Sequence, residues 1–251
     1  FDADATNPHP NNSLLRIVGN GDGKLWLSGN SGVALFDPIA GRVLKRYQAD
    51  KKRKGALSND IAYSLYQEKD GPLWVGTSVG LNRLDPGKDE FHVIHFGTIA
   101  DDYINVIAPG KDGKLWLGTG DSMIHYDPKR DQITKYTPDP KVTDGRSVKG
   151  TTVILQDRED RVWAGAEWVG GGLDLLDVET GKFTHFRHDP KDDQSISADN
   201  VSSLHQDAKG RIWVGTINGL NQVLKGSDGR YRFARYETAG SVGRAKIVAI
   251  E

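Results

Sequence analysis

The sequence predicts an all-β fold on three grounds: a tryptophan phrase that recurs five times, runs between the phrases that alternate with strand periodicity, and frequent glycine and proline punctuation. The phrases are GKLWLSG around Trp26, GPLWVGT around Trp74, GKLWLGT around Trp116, DRVWAGA around Trp163 and GRIWVGT around Trp213. Successive tryptophans stand 48, 42, 47 and 50 residues apart, a spacing that propeller blades and some helical arrays share. The content of a unit decides between them. The second unit holds four short runs, Ile61 to Gln67, Leu73 to Thr77, Gly80 to Leu84 and Phe91 to Phe96, separated by Asp-Gly, Ser-Val-Gly and Asp-Pro-Gly turns. That is a four-stranded antiparallel meander, and helical periodicity is missing from it.

Such a sheet has two apolar faces and open edges, so it must stack on its neighbours, and radial stacking yields a β-propeller. Trp26, Trp74, Trp116, Trp163 and Trp213 then read as the structural residues of the repeat, each filling the space between blades, with the glycine after Trp-Val allowing close backbone approach. The expected organisation is a propeller over residues 1–251 with five blades visible, in units near 1–47, 48–96, 97–136, 137–186 and 187–236. Residues 237–251 read as the start of a further blade, since Lys246 to Glu251 is strand-like. Phe1-Asp2-Ala3-Asp4 stands where Phe186-Arg187-His188-Asp189 stands before the fifth unit, so the expectation is a fragment of a six- to eight-bladed ring.

The 33 Lys and Arg nearly cancel 34 Asp and Glu, which argues against nucleic acid or an anionic membrane as the partner of the whole surface. No run approaches the length of a membrane span, and FDADATNPHP lacks the basic and apolar regions of a signal peptide. Without cysteine there is neither a disulfide framework nor a thiolate site, a usage that fits an oxidising compartment and the cytosol alike.

In a four-stranded meander the connections from second to third strand and from fourth strand to next blade share one face. The first-to-second turns, at Asp22-Gly23, Asp70-Gly71 and Asp112-Gly113, are tight, whereas the blade-to-blade loops Gln48 to Asn59, Thr137 to Lys149 and Arg187 to Asn200 are long. A ligand site is therefore expected on the side of the long loops. Trp168 is the one tryptophan outside the repeat phrase, and with Glu167 and the following glycines it forms an extended loop suited to stacking on a sugar or other planar ligand. Arg146, His188, Asn200 and Asn218 accompany it by loop position. Lys51-Lys52-Arg53-Lys54 is the strongest charge run, a possible anion site and more simply a solvated face.

Catalytic motifs are not found. Gly19-Asn20-Gly21-Asp22-Gly23 opens onto a strand and not onto the helix of a phosphate cradle, the histidines lack metal-site spacing, and no serine lies in a nucleophile turn. Neither cofactor nor metal is expected, and no catalytic residue.

The repeats resemble the two-component regulator propeller family, on Gly80-Leu81-Asn82-Arg83-Leu84-Asp85-Pro86, on Tyr126-Asp127-Pro128, on Gly171-Gly172-Leu173-Asp174 with Phe183 to Phe186, and on the linker Asp189 to Ser197. Ala164, Ala166 and Ser28 depart from the pattern, and Asp-Pro is missing after Leu224. The resemblance implies the periplasmic or extracellular sensor portion of a bacterial receptor, anchored through segments outside this chain, with a histidine kinase or diguanylate cyclase as output. It further implies an oligosaccharide as the class of ligand. Three functions stay open: a ligand sensor, a protein interaction platform within a receptor or a homodimer, and a propeller enzyme such as a lyase. Fold does not separate them.

Overall fold

The computed structural model describes residues 13–138, 145–146, 149–167, 171–236, 246–247 and 249–250. They form five four-stranded antiparallel sheets, each a meander of the kind the sequence predicts. The first blade holds β1 (Leu14–Gly19), β2 (Leu25–Gly29), β3 (Gly32–Asp37) and β4 (Arg42–Tyr47), and the second β5 (Ala62–Gln67), β6 (Leu73–Thr77), β7 (Gly80–Leu84) and β8 (Phe91–Ile94). The third holds β9 (Ile104–Pro109), β10 (Leu115–Thr119), β11 (Met123–Asp127) and β12 (Gln132–Tyr136). The fourth comprises β13 (Val153–Gln156), β14 (Val162–Ala166), β15 (Gly172–Leu176) and β16 (Phe183–Phe186), and the fifth β17 (Val201–Gln206), β18 (Ile212–Thr216), β19 (Gly219–Lys225) and β20 (Tyr231–Tyr236). The chain divides into two compact units, residues 1–107 and 108–251.

The hairpin between the first two strands of each blade closes identically, by one backbone hydrogen bond: Asn20 N–H to Lys24 O, Glu68 to Pro72, Gly110 to Lys114, Asp157 to Arg161 and Asp207 to Arg211, at 2.8–3.1 Å. Asp70, Asp112 and Asp160 sit in these turns at φ of 55°, 57° and 67°, a left-handed conformation that aspartate tolerates better than most residues.

In the first unit Trp26 shares one apolar cluster with Leu65, Leu73, Val75 and Phe91 of the second blade. In the second unit Trp163 clusters with Val201, Ile212, Val214 and Phe233 of the fifth. These tryptophans fill the space between blades, as expected. The glycine two residues after the tryptophan sets the approach distance. A Cβ on Gly76 would lie 2.2 Å from Ser64 Oγ and 2.7 Å from Ile104 Cγ2, and one on Gly165 2.6 Å from Val201 Cγ1. In the first blade that position is Ser28, and the residue matching Ile104 and Val201 at the head of the next first strand is the smaller Ala62.

Two strand limits differ from expectation. The first strand of the second blade begins at Ala62 and not Ile61, and the last ends at Ile94 and not Phe96. Phe96 leaves the ladder because its N–H donates to the Asp102 carboxylate at 2.6 Å. Lys246, Ile247, Ala249 and Ile250 have no strand assignment, yet Ile247 N–H donates to Thr216 O at 3.0 Å and its side chain covers Gly215 as Ile104 covers Gly76.

Candidate functional site

The long loops and the turns between second and third strands do meet on a common side within each unit. Gly32 N–H donates to Asp60 O and Gly80 N–H to Asp102 O, both at 2.7 Å, and Ile217 N–H donates to Asn200 O at 3.2 Å.

A repeated polar clasp fastens these loops to the sheets. In the second blade Ser58 N–H donates to Asn82 Oδ1, Asn82 Nδ2 donates to Ser58 Oγ, both at 2.9 Å, and Ser58 Oγ bonds Thr77 Oγ1 at 2.8 Å. In the fifth blade Ser197, Asn221 and Thr216 repeat it at 2.9, 2.8 and 2.8 Å. An asparagine suits this place because one side chain supplies both acceptor and donor to a buried loop. The residue before each serine is sealed in the core, Leu57 at 2% exposure and Ile196 at 0%.

The clasp belongs to the second and fifth blades, since its asparagine position holds Ala34 in the first blade, Ile124 in the third and Asp174 in the fourth, and among these only the fourth places a charge there. Arg146 stands where Leu57 and Ile196 stand, and Asp174 where Asn82 and Asn221 stand. Both are buried, at 3% and 1% exposure. The Asp174 carboxylate lies 2.9 Å from His185 Nδ1 and 3.6 Å from Arg187 Nη2. Burial lowers the Arg146 guanidinium to about 10, with Asp174 opposing the shift, so it stays cationic at neutral pH.

Of the residues singled out in the sequence, Trp168 lies outside the described residues. Glu167 N–H donates to Thr152 Oγ1 at 3.1 Å, its carbonyl accepts from Asn200 Nδ2 at 2.6 Å, and its carboxylate pairs with Lys246. His188 and Asn218 brace the same loop, through His188 Nδ1 to Ile196 O at 2.8 Å and Asn218 Nδ2 to Ser197 O at 3.3 Å. Arg146 donates to Asp121 O at 3.3 Å and to the hydroxyl of Thr151, the neighbour of Thr152. Arg146, Glu167 and Asn200 thus belong to one hydrogen-bonded stretch of the second unit. Lys51, Lys52, Arg53 and Lys54 are exposed in the first unit, where Arg53 donates to Asp89 O at 3.2 Å.

Two features escaped sequence reasoning. Asp174, with its partners His185 and Arg187, was visible only as a charge at a position that holds Ala34, Asn82, Ile124 and Asn221 in the other blades. Tyr63 and Tyr103, each partly exposed, place their rings 4.7 Å apart at 35° in the first unit, and burial followed by the hydrogen bond to Tyr63 pushes the Tyr103 hydroxyl up to about 12. Their signal was tyrosine at the start of two successive first strands. Two histidine–carboxylate pairs also occur, His95 with Asp102 at 2.6 Å and His185 with Asp174. No cluster of three metal-ligating side chains occurs among the described residues.

Residues 56–79, 98–121 and 195–218 each match the family model described as Two component regulator propeller. Among curated proteins none matches the chain. Among solved structures the chain is similar to the extracellular domain of a hybrid two component system from B. thetaiotaomicron, with a TM-score of 0.70 and 20% identity over 90% of this chain and 32% of that one. It is similar also to the extracellular domain of a one component system from the same organism, with a TM-score of 0.67 and 22% identity over 90% of this chain and 28% of that one. Virginiamycin B lyase from Staphylococcus aureus gives a TM-score of 0.65 and 15% identity over 92% of this chain and 73% of the enzyme. At these identities the likeness is one of fold, and the chain spans about a third of the two extracellular domains. Segments of its second, third and fifth blades thus match the two component regulator propeller model, and its sheets share the fold of those domains.

Proposed function

We propose that this chain is a ligand-sensing, extracytoplasmic propeller domain of a bacterial signal-transduction receptor that binds an oligosaccharide or another small molecule on the side of its long loops. The observation that carries this reading is the buried charge of the fourth blade, Arg146 and Asp174, at positions that hold Leu57 with Asn82 and Ile196 with Asn221 in the second and fifth blades. The adjoining loop presents the partly exposed Glu167 beside Asn200. Buried charge beside a loop, where the same fold manages with neutral residues, points to a role outside the fold. The Tyr63–Tyr103 pair offers a second surface on which a sugar ring can stack. The family match and the fold shared with extracellular domains of signalling proteins support the same reading, and no catalytic role is assigned to this chain.

A second reading, a protein interaction platform within a receptor, draws support from Val79 and Ile99, apolar residues of the first unit exposed on the loop side, Ile99 at 91%. A thermal-shift screen against oligosaccharides and small metabolites separates the two. A ligand that binds only the folded state at a hundred times its Kd adds about 2.7 kcal/mol of stability and raises the melting temperature by several degrees. A screen without hits, together with capture of a receptor segment by the propeller, contradicts the sensing reading.

A further inference from the structure

Arg146 carries more than a place in a loop. At its position the second and fifth blades bury Leu57 and Ile196, and their clasps are neutral, so the repeat itself contains a solution that avoids burying charge. The fourth blade instead buries a guanidinium and a carboxylate, against a desolvation penalty that a leucine and an asparagine would not incur. Buried charges of this kind are weak evidence for stability and, beside a long loop, better evidence for recognition.

The guanidinium is incompletely used. Nη1 donates to Asp121 O at 3.3 Å and Nη2 to the Thr151 hydroxyl, while the buried Nε–H has no partner among the described residues. A buried guanidinium with one N–H left without an acceptor can still take an oxyanion oxygen. A second guanidinium, Arg187, stands at Asp174, the carboxylate whose charge also acts on Arg146. Arg187 approaches Asp174 to 3.6 Å and keeps 34% of its side chain exposed. Gly172 makes room for it, because a Cβ there would stand 2.0 Å from Arg187 Nη1. The fourth blade therefore holds one partly exposed guanidinium at Asp174 and one buried guanidinium that feels its charge, at the strand that follows the Glu167 loop. The exposed run Lys51 to Lys54 lacks any such enclosure.

We propose that Arg146, together with Arg187, anchors an oxyanion of the ligand, a carboxylate or a sulfate carried by a sugar or other small molecule. This rests on the ligand-sensing reading and specifies its chemistry.

The test is titration calorimetry of the full chain with digalacturonate, its uncharged methyl ester, lactose and inorganic sulfate, in the wild type and in the double variant Arg146→Leu, Asp174→Asn. That variant writes the Leu57 and Asn82 pair into the fourth blade and is expected to fold, which circular dichroism checks. The expected result is binding of digalacturonate or sulfate, at least tenfold weaker binding of the ester and lactose, and at least a tenfold loss of anion binding in the double variant. Binding of digalacturonate without sulfate identifies a carboxylate as the group, and the reverse a sulfate. Equal anion binding by wild type and variant overturns the inference. So does binding of lactose or the ester with every anion inert, which leaves the sensing reading intact. If none of these binds and the wider screen is also empty, both readings fall.

Discussion

The indole N–H of Trp26 donates to Gln67 Oε1 at 3.1 Å, so the tryptophan of the first blade is satisfied by a side chain of the second. The same link recurs in the second unit between Trp116 and Gln156, also at 3.1 Å. In the other three blades the tryptophan is satisfied from its own hairpin, by Glu68, Asp157 and Asp207 at 2.8, 2.9 and 3.0 Å. The matching hairpin residues of the first and third blades are Asn20 and Gly110, which leaves the neighbouring glutamine as acceptor. A buried indole donor must find a partner, and the repeat supplies it by two routes. A double-mutant cycle of Trp26→Phe and Gln67→Met, read by urea denaturation, is expected to give a coupling of about 0.5–1.5 kcal/mol. A coupling near zero would show that the contact contributes nothing across the junction.

Asp207 predicts a pH dependence. The Trp213 indole N–H foremost, with the Arg211 backbone N–H and guanidinium, holds its carboxyl well below the usual carboxylate range. A carboxylate whose native pKa is depressed binds its proton more readily in the unfolded chain. The stability it contributes is therefore present above its unfolded value near 4 and is lost as pH falls toward its native value. Asp207→Asn should lower the urea midpoint at pH 7, and the gap to wild type should shrink at pH 3. A gap independent of pH would refute the assignment.

Gly76 predicts a steric limit. A methyl there meets Ser64 Oγ at 2.2 Å and Ile104 at 2.7 Å, so Gly76→Ala should cost about 1–3 kcal/mol through overpacking. Gly19→Ala is the control, since nothing lies within 4 Å of its Cβ, and it should stay within about 0.5 kcal/mol of wild type. Similar values for both would contradict the packing described between blades.

The neutral and charged clasps should answer oppositely to substitution. Asn221→Leu leaves the buried Ser197 N–H without its acceptor and should cost about 1–3 kcal/mol. Arg146→Leu with Asp174→Asn exchanges two buried charges for the neutral residues of the second and fifth blades, and should be neutral or gain up to about 4 kcal/mol. Thermal unfolding of both variants checks the contrast.

The blades were legible because Trp26, Trp74, Trp116, Trp163 and Trp213 mark one position of each sheet, and the Asp-Gly turns between strands cannot be mistaken for helix. Ile61 and Phe96 were placed inside strands because strand ends depend on which loop group takes the last N–H, as Asp102 does for Phe96. The site was less legible. Glu167, expected as the carboxylate beside Trp168, and Asn200, expected by loop position, do meet, but Arg146, expected there by loop position too, is buried in place of Leu57. Only an alignment of the linkers, with Arg146 over Leu57 and Ile196 and Asp174 over Asn82 and Asn221, exposes that charge. The tilted contact of Tyr63 with Tyr103 depends on how close two successive first strands lie, which periodicity does not report.

Hydrogen–deuterium exchange with and without a saturating ligand from the screen tests the account most directly, because binding slows local opening where the ligand sits. Binding on the side of the long loops slows exchange in the Arg187–Asn200 loop and around Thr151 and Glu167 of the second unit. Protection confined to the tight hairpins near Asp70, Asp112 and Asp160, on the opposite side of their sheets, would contradict it.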